Sequence, residues 1–132
     1  MDTLSVRTTS QVQFLDLTGQ VRRWLQDQKV SSGVLTLYVP HTTAGITIYE
    51  NADPDVIRDL TMELNKVIPF DDNYRHLEGN AAAHIKSSII GASVQVIVDR
   101  GDLVLGTWQG IFFAEFDGPR SRKLHLQLTT AV

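Results

Sequence analysis

Residues 101–122 read Gly-Asp-Leu-Val-Leu-Gly-Thr-Trp-Gln-Gly-Ile-Phe-Phe-Ala-Glu-Phe-Asp-Gly-Pro-Arg-Ser-Arg, and this stretch gathers the groups best able to act on a ligand. Trp108 and Gln109, then Glu115, then Arg120 and Arg122 stand among strand-forming residues. A sheet segment ordinarily keeps its polar groups on one exposed face, so the pattern predicts a strand whose polar side lines a pocket. For Trp108 the plain alternative is a core aromatic whose indole N–H is met by Gln109. For Arg120 and Arg122 it is surface ion pairing beside a tight turn, which contributes little.

Three of the four histidines fall at element boundaries: His41 after Pro40, His76 in a loop, and His84 in the first turn of a helix. Neutral imidazoles together with Glu115 or Glu78 would suit zinc or a similar divalent ion if the fold gathers them. There is no HExxH-type local spacing, so surface and capping roles are the simpler account of each. The entry Glu78-Gly79-Asn80-Ala81-Ala82-Ala83-His84-Ile85-Lys86 would offer backbone N–H groups to an anion, with Lys86 and the two arginines completing the site. An ordinary helix start capped by Asn80 explains it equally well. Thr42 and Thr43, with Gly45 close behind, present hydroxyls after a buried strand, or form a turn that satisfies its own backbone. Asn51 with Glu50 is either a pocket pair or a lead into the next helix. His125, between Leu124 and Leu126, belongs to an exposed polar strand face.

The elements that must position these groups follow from periodicity. Leu4 to Leu15 alternates as one strand. Leu17, Val21, Trp24, Leu25 and Gln28 keep a helical period, with Thr18 as cap and Ser32-Gly33 as stop. Val34 to Val39 reads as a strand buried on both faces. A short strand over 45–49 leads to Asp53-Pro54, a cap followed by proline at the first helical position, and a helix with Val56, Ile57, Leu60, Leu64 and Val67 as its apolar stripe. Residues 69–80 form a loop, and a third helix runs from about residue 80 to Ile90, stopped by Gly91. Strands over 93–100, 103–106, 107–116 and 122–129 complete the chain, with turns at 100–102 and 117–119. Helices early and strands late predict a single α+β domain over residues 1–132, a mostly antiparallel sheet packed with about three helices.

Composition narrows the function. A chain of 132 residues, 42% hydrophobic and 20% charged, buries a core without staples. A net charge of −3 provides no basic stripe for nucleic acid or for an anionic membrane. The absence of cysteine removes disulfides, thiolate catalysis and thiolate metal sites, so any metal must use His, Asp or Glu. No signal sequence and no apolar span of about 18 residues occurs, and a cytoplasmic protein is expected.

Taken together these segments resemble the YjbQ-like family, some members of which are described as secondary thiamine-phosphate synthases. The resemblance is carried by Ser93-x-x-Val96-x-Val98-x-x-Gly101 followed by Leu105-Gly106-Thr107-Trp108-Gln109. His41-Thr42-Thr43, Glu50-Asn51-x-Asp53-Pro54, His76-x-x-Gly79, His84-Ile85-Lys86-Ser87-Ser88 with Gly91, and Arg120-Ser121-Arg122 extend it over nearly the whole chain. It implies an α+β fold and a homotrimer with sites near subunit interfaces. It also implies that His41, His76 and His84 converge as ligands of a divalent ion, zinc or magnesium, with His41, His84 and Glu115 as catalytic groups. The implied reaction joins hydroxymethylpyrimidine diphosphate to thiazole phosphate and releases diphosphate. Lys86, Arg120 and Arg122 would then hold phosphate, Trp108 would stack on a ring, Gln109 or Asn51 would read ring nitrogens, and Thr42 and Thr43 would bind polar substrate groups. A metal-dependent hydrolase of phosphorylated metabolites and a noncatalytic metabolite-binding protein remain the alternatives.

Overall fold

The computed structural model describes residues 1–131. The strands are β1 (Asp2–Arg7), β2 (Gln13–Asp16), β3 (Gly33–Tyr38), β4 (Ala44–Glu50), β5 (Ser93–Asp99), β6 (Asp102–Leu103), β7 (Gln109–Glu115) and β8 (Ser121–Thr130), and the helices are α1 (Thr18–Gln28), α2 (Pro54–Val67) and α3 (Ala81–Ile90). The expected single α+β domain is present, but its strands make two antiparallel sheets rather than one. The larger has the order β1-β8-β3-β5-β6 and the smaller β2-β7-β4.

Two packed layers explain most of the apolar pattern. Leu35, Leu37, Val96, Val98, Leu124 and Leu126 of the large sheet meet Ile46, Ile111 and Phe113 of the small sheet and Val21 and Leu25 of α1 in one continuous core. A second cluster joins Ala83 of α3 to Ala114 and Phe116, with Phe14, Leu64, Phe70 and Ile90 packed around it. Strand β7 is therefore buried along its length beyond Gln109, with apolar groups facing both clusters.

Several sequence expectations give way here. The alternating run over 4–15 is two strands in different sheets, because the polar Thr8-Thr9-Ser10 segment carries the chain from one to the other. Helix α1 is not capped by the Thr18 side chain. Asp16 Oδ1 accepts from both the amide and the hydroxyl of Thr18, and that hydroxyl accepts from the Ile111 amide. The helix ends at Lys29, which takes a left-handed conformation, and Gly33 already belongs to β3. Strand β3 buries only one face, since Val34, Thr36 and Tyr38 look outward. Helix α2 starts as expected, with Asp53 accepting from the Asp55 amide, yet Val67 of its predicted stripe is exposed. The strand expected at 103–106 is only the two residues of β6. Among the described residues no helix is long and apolar enough to cross a membrane.

Candidate functional site

The register of β7 decides which polar groups can act together. Gln109 pairs with Glu50 at one end, and Glu115 pairs with Ala44 and Gln13 at the other. Seven residues of strand separate these ends by roughly 20 Å. Trp108, Gln109 and Asn51 thus lie at one end of the small sheet, while Glu115, Thr42, Thr43, His41, Arg120 and Arg122 lie at the other. Among the described residues β7 has no polar side along which the expected pocket could run, because residues 110–114 between these ends are buried and apolar.

At the first end, Trp108 is 64% exposed on the turn into β7 rather than in the core. Gln109 does not serve its indole; its side-chain oxygen accepts from the Gly106 amide. Asn51 packs over Gly110 and donates to Asp16.

At the second end a buried network stands under a cleft. Arg122, in β8, donates from Nε to Glu115 Oε1 at 2.8 Å and from its terminal nitrogen to Glu115 Oε2 and to Thr43 Oγ1. Glu115 also accepts from the Thr8 hydroxyl at 2.7 Å and from the Asp117 amide at 3.0 Å. Burial alone would raise the Glu115 carboxyl, but the Arg122, Asp117 and Thr8 hydrogen bonds and the Arg122 charge outweigh it and hold the pKa below the ordinary carboxylate value. Glu115 is fully buried with both oxygens engaged, so neither the catalytic role nor the metal-ligand role expected for it fits this geometry. Arg122 is likewise no surface pair and no free phosphate hook: it is a buried strut. Thr8 went unnoticed in the sequence, although the polar break of Thr8-Thr9-Ser10 within an alternating run was the available signal.

Above this network a cleft of about 500 Å³ is lined by Tyr38, His41, Thr42, Thr43, Arg120 and Arg122. The Nε2 atom of His41 accepts from the Lys123 amide at 2.9 Å, which leaves Nδ1 to carry the proton of the neutral ring. Burial and then the Arg122 charge push His41 below its ordinary pKa, with Arg120 and His125 adding to the effect and Glu115 opposing it. His41 is consequently a neutral hydrogen-bond donor at pH 7. Arg120 donates to the Asp117 carboxylate and carbonyl and remains half exposed at the rim.

His41 and Thr42 also border a second depression of about 400 Å³, whose far wall is His84, Ser87 and Ser88 of α3. Ser87 Oγ donates to the Thr42 carbonyl and pins that wall. His76 reaches the same neighbourhood, its ring meeting His84 edge to face with centroids 5.4 Å apart. The three histidines are neighbours but not a ligand set. His41 Nε2 is already occupied, His76 lies 3.8 Å from Glu78, and among the described residues no three His, Asp or Glu side chains are grouped to hold an ion. Zinc asks for three or four converging donors, and the described residues of one chain do not group them.

Lys86 departs furthest from expectation. It is completely buried, donates to Asn65 of α2, and lies 3.7 Å from the Phe70 ring centroid, so it does not reach an anion site at the start of α3. Asn80 caps α3 by position only, its side chain donating instead to Asp117. Burial pushes Lys86 down to about 8. Unfolded lysine titrates near 10.4, so the unfolded chain holds the extra proton between these values and stability rises with pH across that window. Chemical denaturation should show wild type gaining on Lys86→Met as pH is raised from about 8 to about 10; a constant difference would contradict this burial. His125 stays on the outer sheet face as expected, half buried by stacking on Tyr38 and bonded to the Thr3 hydroxyl at 2.9 Å.

Comparison with known proteins agrees with this architecture. The family model described as UPF0047 protein YjbQ-like matches residues 2–131. UPF0047 protein YugU of Bacillus subtilis is 50% identical over 97% of this chain and 98% of its own length. A UPF0047 protein of Methanocaldococcus jannaschii is 49% identical over 93% of this chain and 89% of its own. A crystal structure of a YjbQ/UPF0047 family protein from Clostridium acetobutylicum superposes with a TM-score of 0.95 at 50% identity, covering 98% of this chain and all of its own. The shared fold, the identity and the near-complete coverage together show that the chain belongs to the YjbQ-like UPF0047 family.

Proposed function

We propose that the cleft around His41 binds a phosphorylated small molecule, and that the chain is a transferase of the secondary thiamine-phosphate synthase kind. The observation that carries this reading is the one-sided lining of the cleft. Its charged walls are Arg120 and Arg122, while Glu115 and Asp117, which pair with them, do not line it. An anion in such a cleft meets donors and no carboxylate.

In the proposed reaction the bond between the pyrimidine methylene carbon and the diphosphate oxygen breaks, and the thiazole nitrogen bonds to that carbon. The electron pair leaves with diphosphate. Catalysis then consists of stabilising the departing anion and holding the ring nitrogen in line, which needs donors rather than a base. Arg120, the Thr42 hydroxyl and the Nδ1–H of His41 supply them, and Arg122 fixes Thr43 from behind. The Trp108 end of the sheet is too distant to serve the same cleft within one chain. In the homotrimer that forms part of this proposal, ring stacking falls to Trp108 of a neighbouring copy.

The occupied state of Glu115 also favours a second reading, a noncatalytic binding protein, over a hydrolase that needs a free base. Product formation from the two phosphorylated substrates separates them. Arg120→Ala and His41→Ala are each expected to lower kcat/KM by about 100-fold, the effect of removing one preorganised donor. Full activity in both folded variants would overturn the transferase reading. Saturable diphosphate binding without product, weakened by the same substitutions, would establish the binding protein.

A further inference from the structure

Apart from glycines, the described residues with positive φ are Lys29 and Arg100, at 55° and 52°. Each position has a local cause. Lys29 ends α1, and Arg100 with Gly101 forms the two-residue turn between Asp99 and Asp102 of the β5–β6 hairpin. Glycine or asparagine is the least strained choice at both, since a longer L side chain there costs of the order of 1 kcal/mol. The chain instead carries two long cations.

Both line the same cleft of about 320 Å³, whose other walls include Leu25, Gln26, Ser31 and Gly101. Among the described residues they are its only charged lining groups, and neither pairs there with a carboxylate. The Gly101 amide donates to the Ser31 carbonyl at 3.0 Å, tying the hairpin turn to the segment after α1 and fixing the two walls. The partial negative charge at the end of α1 would by itself account for Lys29, but not for Arg100, which belongs to a different element. Two cations lining one cleft with no carboxylate partner among the described residues repel each other, and a bound anion removes that repulsion.

We propose that this cleft binds the phosphate group of a phosphorylated small molecule between Lys29 and Arg100, with the Ser31 hydroxyl as a further donor. It is separate from the His41 cleft. Strand β3 starts beside one and ends beside the other, and its six residues span roughly 17 Å.

The test is an amide NMR titration of isotope-labelled protein with inorganic phosphate at constant ionic strength, so that screening does not imitate binding. Saturating shifts are expected at the Ser31 and Gly101 amides. In Lys29→Asn/Arg100→Asn the affinity should fall about 100-fold, the combined loss of two charge-assisted contacts. The thermal midpoint should not fall, because asparagine suits both conformations. Arg100→Asn alone provides the same reading should the double variant fail to fold, with an intermediate loss. Shifts that persist in these folded variants, that fail to saturate, or that appear only at Thr42 and Lys123 overturn the proposal. The last result would support the His41 cleft as the sole phosphate site.

Discussion

Replacing Glu115 by alanine is expected to destabilise the fold by about 3–5 kcal/mol, the range for removing one partner of a buried ion pair. For a chain of this size that corresponds to a fall of roughly 10–20 °C in Tm. The magnitude follows from what is left behind: Arg122 remains in the interior with its charge uncompensated, the Asp117 amide loses its acceptor, and the Thr8 hydroxyl keeps only the Arg120 carbonyl at 3.1 Å. Arg122→Met should destabilise by a similar amount, and Glu115→Leu/Arg122→Met by less than the sum of the two. Thermal unfolding of the set is the check, and a shift below about 3 °C for Glu115→Ala would contradict the buried pair. The same pair predicts acid sensitivity. Because the folded Glu115 pKa is depressed, its contribution is complete above the unfolded value near 4.3 and is lost as pH falls through the lower folded value. The advantage of wild type over Glu115→Gln should therefore shrink below about pH 4.

Gly45→Ala is expected to cost about 3 kcal/mol, the upper part of the range for overpacking a filled interior. A Cβ at this position would stand 2.6 Å from the Gly91 carbonyl oxygen and 3.2 Å from Ile90 Cγ2. That carbonyl accepts from the Ile46 amide at 3.0 Å, so α3 docks on β4 by direct main-chain contact. A methyl group would lift the end of α3, weaken this bond and move Ser87 and His84 away from Thr42. Gly19→Ala is the matched control: its Cβ would meet only Arg23, at an ordinary 3.5 Å, within a helix that gains from alanine. A Gly45→Ala protein as stable as the Gly19→Ala protein would refute this close approach.

What was legible in the sequence was mostly local. Pro54 after Asp53, and Gly91 with φ of 100° at the end of α3, mark helix limits through their own stereochemistry, and they stand where expected. The division of the strands into two sheets was not legible, since the alternation over 4–15 continues across the crossing at Thr8 to Ser10. Site residues divided along the same line. His41, Thr42 and Arg120 stand out by their types and positions beside strand ends, and the structure brings them to the lining of one cleft. Glu115 and Arg122 are not legible as a pair, because a carboxylate and a guanidinium seven residues apart look like surface or pocket groups until β7 and β8 bring them together in the interior. The burial of Lys86 is not legible for a related reason: helical position says which face a lysine shares, not that Phe70 and Asn65 come from elsewhere to cover it.

The order of the large sheet also has a consequence for synthesis. Strand β8 lies between β1 and β3, pairing Thr3 with His125 and Leu37 with Leu126. Strand β1 therefore waits for β8, which is made more than a hundred residues later, and β3 meanwhile has only β5 beside it. The small sheet can close once β7 is complete, whereas the large sheet cannot. Until residues 121–130 emerge, the edges of β1 and β3 that β8 will fill have no strand partner, and this interval is when the nascent chain is most exposed to misassociation.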